Sequence, residues 1–350
     1  MRRTSIAPAL LALLLTLLTA CAPQRNLPQV QGGLVEAEAK KQQELAVREY
    51  MAKLDRMDRV AWAIRSKNVD LCGEHTAYRL GLNLAEAEDY PKDQREIIQN
   101  ALGIQARPTV YIITRGGPAE AAGVQRGDVL LSVAGQEVKN KKHALEHLDK
   151  ALASGSSIPM AVERAGLRHE LSVPPAKVCA YDVFLKTDNM INAFADGSKI
   201  TVMTGMMKFV QTDDELAAIL GHEMAHNTEG HIKAKTGNAL LGMLLFDLPI
   251  AILTGVNPNT GGQIGQQLYS QEFEHEADYV GLYFTARAGY DIENVADLWR
   301  RMAVENPGAI TMGSTHPSTS ARYVALEAAR DEIKGKAKEG KELKPEMKGK

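Results

Sequence analysis

The chain has 350 residues, 45% of them hydrophobic and 24% charged, an ordinary globular composition with length enough for two domains. That excludes collagen-like, low-complexity and wholly disordered chains. With 41 Lys+Arg against 43 Asp+Glu the net charge is −2, too weak a field to steer nucleic acid, so no nucleic-acid partner is expected.

Arg2 and Arg3 precede a short leucine-rich run, Ala9 to Leu18, which leads to Thr19-Ala20-Cys21. A basic start, a short apolar run and small residues read as a secretory signal over 1–20, the other reading being an uncleaved anchor helix. The run is short for a membrane span. Small residues ending directly at a cysteine resemble the bacterial lipoprotein signal. The resemblance implies cleavage before Cys21, acylation of that residue, and a lipid anchor in the outer membrane that faces the chain into the periplasm. Residues 21–35 read as a polar tether.

Val47, Tyr50, Met51, Leu54, Met57, Ala61 and Ile64 recur every three or four residues. They predict an amphipathic helix within 36–98, the helical first part of the larger domain. An exported chain meets oxidising conditions, and Cys72 and Cys179 are the two cysteines left after Cys21. A disulfide between them is expected; two buried free thiols are the alternative.

Residues 99–175 read as a separate β-rich unit. Thr109-Val110-Tyr111-Ile112-Ile113 is a strand run, broken by Gly116-Gly117-Pro118. The string PAEAAGVQRGDVLLSVAG from Pro118 closely resembles bacterial PDZ domains. That resemblance implies a groove for peptide C-termini or strands, with Leu102-Gly103-Ile104 as the candidate carboxylate loop. A PDZ fold kept only as a spacer is the other reading.

Residues 176–334 read as a further domain, taken together with 36–98. Strands are expected at Asp182 to Leu185 and on either side of the Asp196-Gly197 turn. Thr212, followed by Asp213, Asp214 and Glu215, reads as a capped helix start. Gly237 to Val256 is apolar but interrupted by Asp247 and Pro249, which predicts a helical hairpin packed on the domain or touching the membrane surface. A loop over 257–262, a helix from Gln271 to Ala288 stopped by Gly289, and a disordered Lys-rich tail over 335–350 complete the reading.

His222-Glu223-Met224-Ala225-His226 is an H-E-x-x-H pattern. On a helix the two imidazoles share a face and can reach one ion, with Glu223 about 100° round to handle a water. The helix is expected to bury Ala217, Leu220 and Met224 and turn the histidines away from that stripe. His231 is out of register for a metzincin third ligand. Glu274, four residues before Asp278 on another helix, is the better candidate, with Asp278 accepting a hydrogen bond from a ligand imidazole.

Four strings in order, NAFADGSKITVMTGMM, DDELAAILGHEMAHNTEGH, EFEHEAD and STHPSTSAR, resemble the gluzincin peptidases of the HtpX, BepA and CAAX prenyl protease family. The resemblance implies an α+β chain: a mostly helical zincin-like domain with a small edge-presenting sheet, here with the PDZ unit inserted. It implies one Zn2+ per chain on His222, His226 and Glu274, with Glu223 as general base and Asp278 behind a ligand imidazole. His316 would stabilise the oxyanion or cap the zinc, and Arg322 would share the first role or serve only loop structure. Asn192 and Ala193 would offer backbone to substrate. The activity implied is endopeptidase cleavage of unfolded or misassembled envelope proteins. The alternative is a largely latent protease acting as a PDZ-bearing chaperone or assembly factor.

Overall fold

The computed structural model describes residues 31–243, 270–305 and 320–346. The expectations for 1–20, Cys21, most of the tether, 244–262 and His316 lie outside them. The chain divides into two compact units, residues 1–43 and 44–350. The described part of the first is the opening of helix α1 (Gly32–Lys67), which therefore begins inside the expected tether.

Within the second unit, Met57, Val60, Ala61 and Ile64 of α1 join a core formed otherwise by Cys72 and by buried residues from Cys179 onward. The chain then leaves through β1 (Thr76–Arg79) and returns through β8 (Ala176–Cys179). These strands pair antiparallel, Thr76 opposite Cys179 and Arg79 opposite Ala176. Cys72 and Cys179 are joined by a disulfide beside this neck, with Cα atoms 5.7 Å apart.

Between the two strands sits the β-rich unit: β2 (Leu82–Ala85), α2 (Arg95–Leu102), β3 (Thr109–Ile113), α3 (Pro118–Ala121), β4 (Val129–Val133), β5 (Gln136–Glu137), α4 (Lys141–Leu152), β6 (Ile158–Arg164) and β7 (Leu167–Val173). Its sheet runs β2-β3-β4-β6-β7, with β5 on β4. The unit thus starts near Leu80 rather than at 99. The sequence reading missed this because β2 is four residues long and separated from β3 by an inserted helix. Alternate residues Leu80, Leu82 and Leu84 nevertheless enter the same core as Val110, Leu130, Ala144 and Leu148.

After the neck come β9 (Asp182–Lys186), β10 (Ala193–Ala195) and β11 (Lys199–Met203), in the order β10-β11-β9, so β10 is an edge. Helices α5 (Thr204–Phe209), α6 (Asp213–Thr228), α7 (His231–Gly242), α8 (Ser270–Arg287), α9 (Val295–Glu305) and α10 (Ser320–Lys338) follow. Thr212 caps α6, its hydroxyl accepting from the Glu215 amide at 3.2 Å. Asp213 in the first turn takes Arg56 and Arg59 of α1, at 2.9 and 2.6 Å.

Two expectations are corrected here. Helix α6 is buried on every side from Leu216 to Asn227, not amphipathic, because the sheet, α8 and α9 all pack on it. The tail is not free: α10 continues to Lys338, and 339–346 folds back. Lys336 bonds Glu332 and Glu346 at 3.0 Å each, and Arg287 donates to the Leu343 carbonyl at 3.0 Å. The lysine charge read as solvating is here used to hold the strap. Among the described residues no helix is long and apolar enough to cross a membrane.

Candidate metal centre

Two helices bring the chemistry together. Gly221 on α6 and Gly281 on α8 lie at their crossing. A Cβ at Gly281 would stand 2.7 Å from the His222 amide nitrogen and 2.8 Å from its Cα, and one at Gly221 2.5 Å from the Gly281 carbonyl oxygen. The absent side chains let the backbones approach until His222 and His226 meet Glu274. Gly281→Ala should therefore push α8 outward, cost about 1–3 kcal/mol and weaken metal binding. A thermal melt and a metal titration on the variant check this, and an unchanged metal affinity would contradict the role given to the crossing.

The His222 and His226 Nε2 atoms are 3.1 Å apart, and each lies 3.4 Å from a Glu274 carboxylate oxygen. All three residues are buried. Tetrahedral bonds of about 2.0–2.1 Å put ligand atoms about 3.3 Å from one another, so this triangle has the edges a small divalent ion requires. Among the described residues it is the single cluster of this kind. Two nitrogens and one carboxylate fit a borderline cation, and three protein ligands are the count that leaves a coordination position for solvent. Glu223 follows His222 on the same helix and is 2% exposed.

The ligands are held from behind. Asp278 Oδ1 stands 2.9 Å from His222 Nδ1. Arg322 grips Asp278 with two bonds, Nε to Oδ2 at 2.7 Å and Nη2 to Oδ1 at 2.8 Å, and reaches Glu274 at 3.3 Å. Arg322 was expected to face the reacting carbonyl or to serve a loop. Instead it lies in α10, 2% exposed, its guanidinium over the Trp299 ring and directed at two carboxylates. In that position it braces Asp278 and Glu274. Burial pushes the Asp278 carboxyl up, but Arg322 and His222 outweigh it and hold it below the usual range. On the other side His231 Nδ1 lies 2.9 Å from His226 Nδ1, and His231 Nε2 lies 3.0 Å from Glu276.

In the metal-free protein burial alone would lower the His222 imidazole from 6.5; Asp278 and Glu274 reverse this and push it up to about 9. The folded pKa is raised, so this proton stabilises the metal-free fold below about pH 6.5 and that contribution is lost as pH rises through about 9. A ligand imidazole must be neutral. Metal affinity should therefore climb about tenfold per pH unit toward pH 9 and then level off. Competition with a chromophoric chelator across that range reads it, and a flat profile would contradict the assignment.

Of the expected substrate pair, Ala193 is buried in β10 and Asn192 precedes the strand, its carbonyl accepting from Met203 at 3.0 Å. The outer edge of β10 is unpaired among the described residues, and β10 packs on α6, which carries the histidines. Leu102-Gly103-Ile104 does not form an open loop. Gly103 caps α2 with its amide donating to Gln99, and Ile104 is buried with Ala85 and Ile98. The turn that enters β2 is Leu80-Gly81-Leu82. Gly81 has φ 72°, and a Cβ there would lie 3.2 Å from the Thr114 Cβ. A glycine between two leucines ahead of an alternating strand was the available signal. His316, on which the latent alternative turned, lies outside the described residues.

Residues 158–330 match the sequence profile of peptidase family M48, and 109–164 that of the PDZ domain. The first match begins in β6 and β7, which the structure assigns to the PDZ sheet. The mitochondrial metalloendopeptidase OMA1 of Schizosaccharomyces pombe is 29% identical over 195 residues, 52% of this chain and 56% of that protein. The putative beta-barrel assembly-enhancing protease of Vibrio cholerae is 32% identical over 139 residues, 36% of this chain and 29% of that protein. The beta-barrel assembly-enhancing protease of Escherichia coli is 27% identical over 127 residues, 32% of this chain and 26% of that protein. The chain spans little more than half of the first relative's length and under a third of the other two.

Proposed function

We propose that this chain, whose residues 158–330 match peptidase family M48 and 109–164 a PDZ domain, is a zinc-dependent endopeptidase of the bacterial cell envelope acting on misfolded or misassembled proteins. The observation that carries the reading is the buried His222, His226 and Glu274 triangle with Glu223 next to it in sequence. Those three residues would hold the ion, which when bound supplies a positive charge that acidifies water and polarises a peptide carbonyl. Glu223 takes the proton from the attacking water and returns it to the leaving amine. Asp278 keeps the His222 proton on Nδ1, so that Nε2 presents its lone pair. The open edge of β10 pairs with substrate backbone as an added strand and lays the scissile bond along α6.

The PDZ unit supplies a second contact. Leu82–Ala85 is an edge strand, and Leu80 and Leu82 share a core with Ala144 and Leu148 of α4. A peptide C-terminus added to β2 would end at the Leu80-Gly81-Leu82 turn, raising the local concentration of unfolded chains. Acylated Cys21 would tether the protein to the outer membrane, facing the periplasm. The relatives named for β-barrel assembly support an envelope substrate of that kind. The test is cleavage of a denatured β-barrel protein by the intact chain beside its Glu223→Gln variant. Equal cleavage by the two contradicts the proposal.

A further inference from the structure

Helix α6 ends at Thr228, and α7 begins at His231. Gly230, with φ 73°, makes the reversal between them. A left-handed residue at that point folds His231 back onto α6 rather than out to solvent. The side chain is 1% exposed and stacks on Phe273 of α8, ring centroids 4.6 Å apart and 14° from parallel. Its two ring nitrogens face two different groups, His226 Nδ1 at 2.9 Å and the Glu276 carboxylate at 3.0 Å.

The direction of these bonds follows from the metal site, so the inference rests on the reading of His226 as a ligand. A neutral imidazole that gives its Nε2 lone pair to an ion carries its proton on Nδ1. That N–H can only donate, so His231 Nδ1 must accept. The proton of His231 then sits on Nε2, where Glu276 accepts it. The chain of donors runs one way, from His226 through His231 to Glu276. It mirrors the shorter path from His222 to Asp278, which α8 also supplies. Helix α8 thus buttresses the ligands with carboxylates at 276 and 278, one through an intervening histidine.

We propose that His231 is a positioning residue for the metal centre, fixing the ring orientation and tautomer of His226 by accepting its Nδ1 proton while Glu276 fixes the tautomer of His231. It touches neither ion nor substrate. Its role separates from simple packing because the ring's shape and its acceptor can be removed independently.

The experiment compares His231→Phe, which keeps an aromatic ring on Phe273 but has no acceptor, with His231→Asn, whose side-chain oxygen can stand near the Nδ1 position. Zinc affinity is read by chelator competition, and the visible absorption envelope of the cobalt(II)-substituted protein reads ligand geometry. His231→Phe should bind zinc about 10–100-fold more weakly and show an altered cobalt envelope. His231→Asn should recover most of the affinity and the wild-type envelope. Glu276→Ala, at a partly exposed position, should weaken binding in the same sense by a smaller factor and covers the case in which His231→Phe fails to fold. Wild-type affinity and spectrum in both His231→Phe and Glu276→Ala overturn the inference, as does equal loss in the Phe and Asn variants. A wild-type protein that binds no zinc would instead refute the metal centre itself, so the two failures are told apart.

Discussion

The Glu223→Gln variant should hold its metal as tightly as the wild type and lose about 10²–10⁴-fold in turnover of a denatured substrate. The substitution is nearly isosteric, so α6 keeps its packing at a residue that is 2% exposed. Glu223 is not among the atoms that converge on the ion, which are supplied by His222, His226 and Glu274. What disappears is a carboxylate able to take a proton from water and pass it to the departing amine; an amide can do neither. The loss should fall on kcat with KM little changed, because the substrate contacts proposed for β10 and the PDZ unit are elsewhere. A variant within tenfold of wild-type turnover would remove Glu223 from the mechanism.

The second large effect concerns the neck. Replacing Cys72 and Cys179 together by Ala should cost roughly 4–5 kcal/mol of stability, the chain-entropy value for a closed loop of this length. The bridge spans a sequence separation of 107 and encloses the whole PDZ unit. Without it, the unfolded chain regains the freedom of that loop, while β1 and β8 have only four paired positions to hold the neck. Both cysteines belong to the peptidase core, whereas the PDZ core from Leu80 to Val173 has its own residues. The full loss is therefore expected in denaturant that unfolds both parts, because a folded PDZ unit would itself keep the two ends of the loop together. Denaturant titration with probes in each part measures it. A cost under about 1 kcal/mol would show that strand pairing and packing already close the loop.

Much of the metal site was legible because helical spacing converts directly into geometry. Two histidines four apart, and an acid four before another acid, each define one face, and the structure brings those faces to a common point. What was not legible depends on contacts that spacing does not encode. Gly221 and Gly281 carry no signal in spacing, yet at the helix crossing neither has room for a Cβ. His231 fails a metal-ligand register, yet it sits against His226 because Gly230 turns the chain. Arg322 looks like a loop cation beside His316, yet its partners lie 44 residues away on α8. In the PDZ unit, α2 between β2 and β3 hid the strand that leads the sheet, and at Leu102-Gly103-Ile104 the chain ends a helix and buries Ile104, which spacing does not encode. The lysines after 335 carry charge that composition alone assigns to solvent, whereas Tyr283, Glu332 and Glu346 supply partners for Lys336.

Two helices set three buried side chains at the spacing that one divalent ion requires. Metal analysis of the purified intact chain beside Glu274→Ala tests it most directly. One tightly held zinc per wild-type chain and essentially none in the variant are expected, with both folded by circular dichroism. A wild-type protein without metal, or a Glu274→Ala protein that still retains a full equivalent, would contradict it.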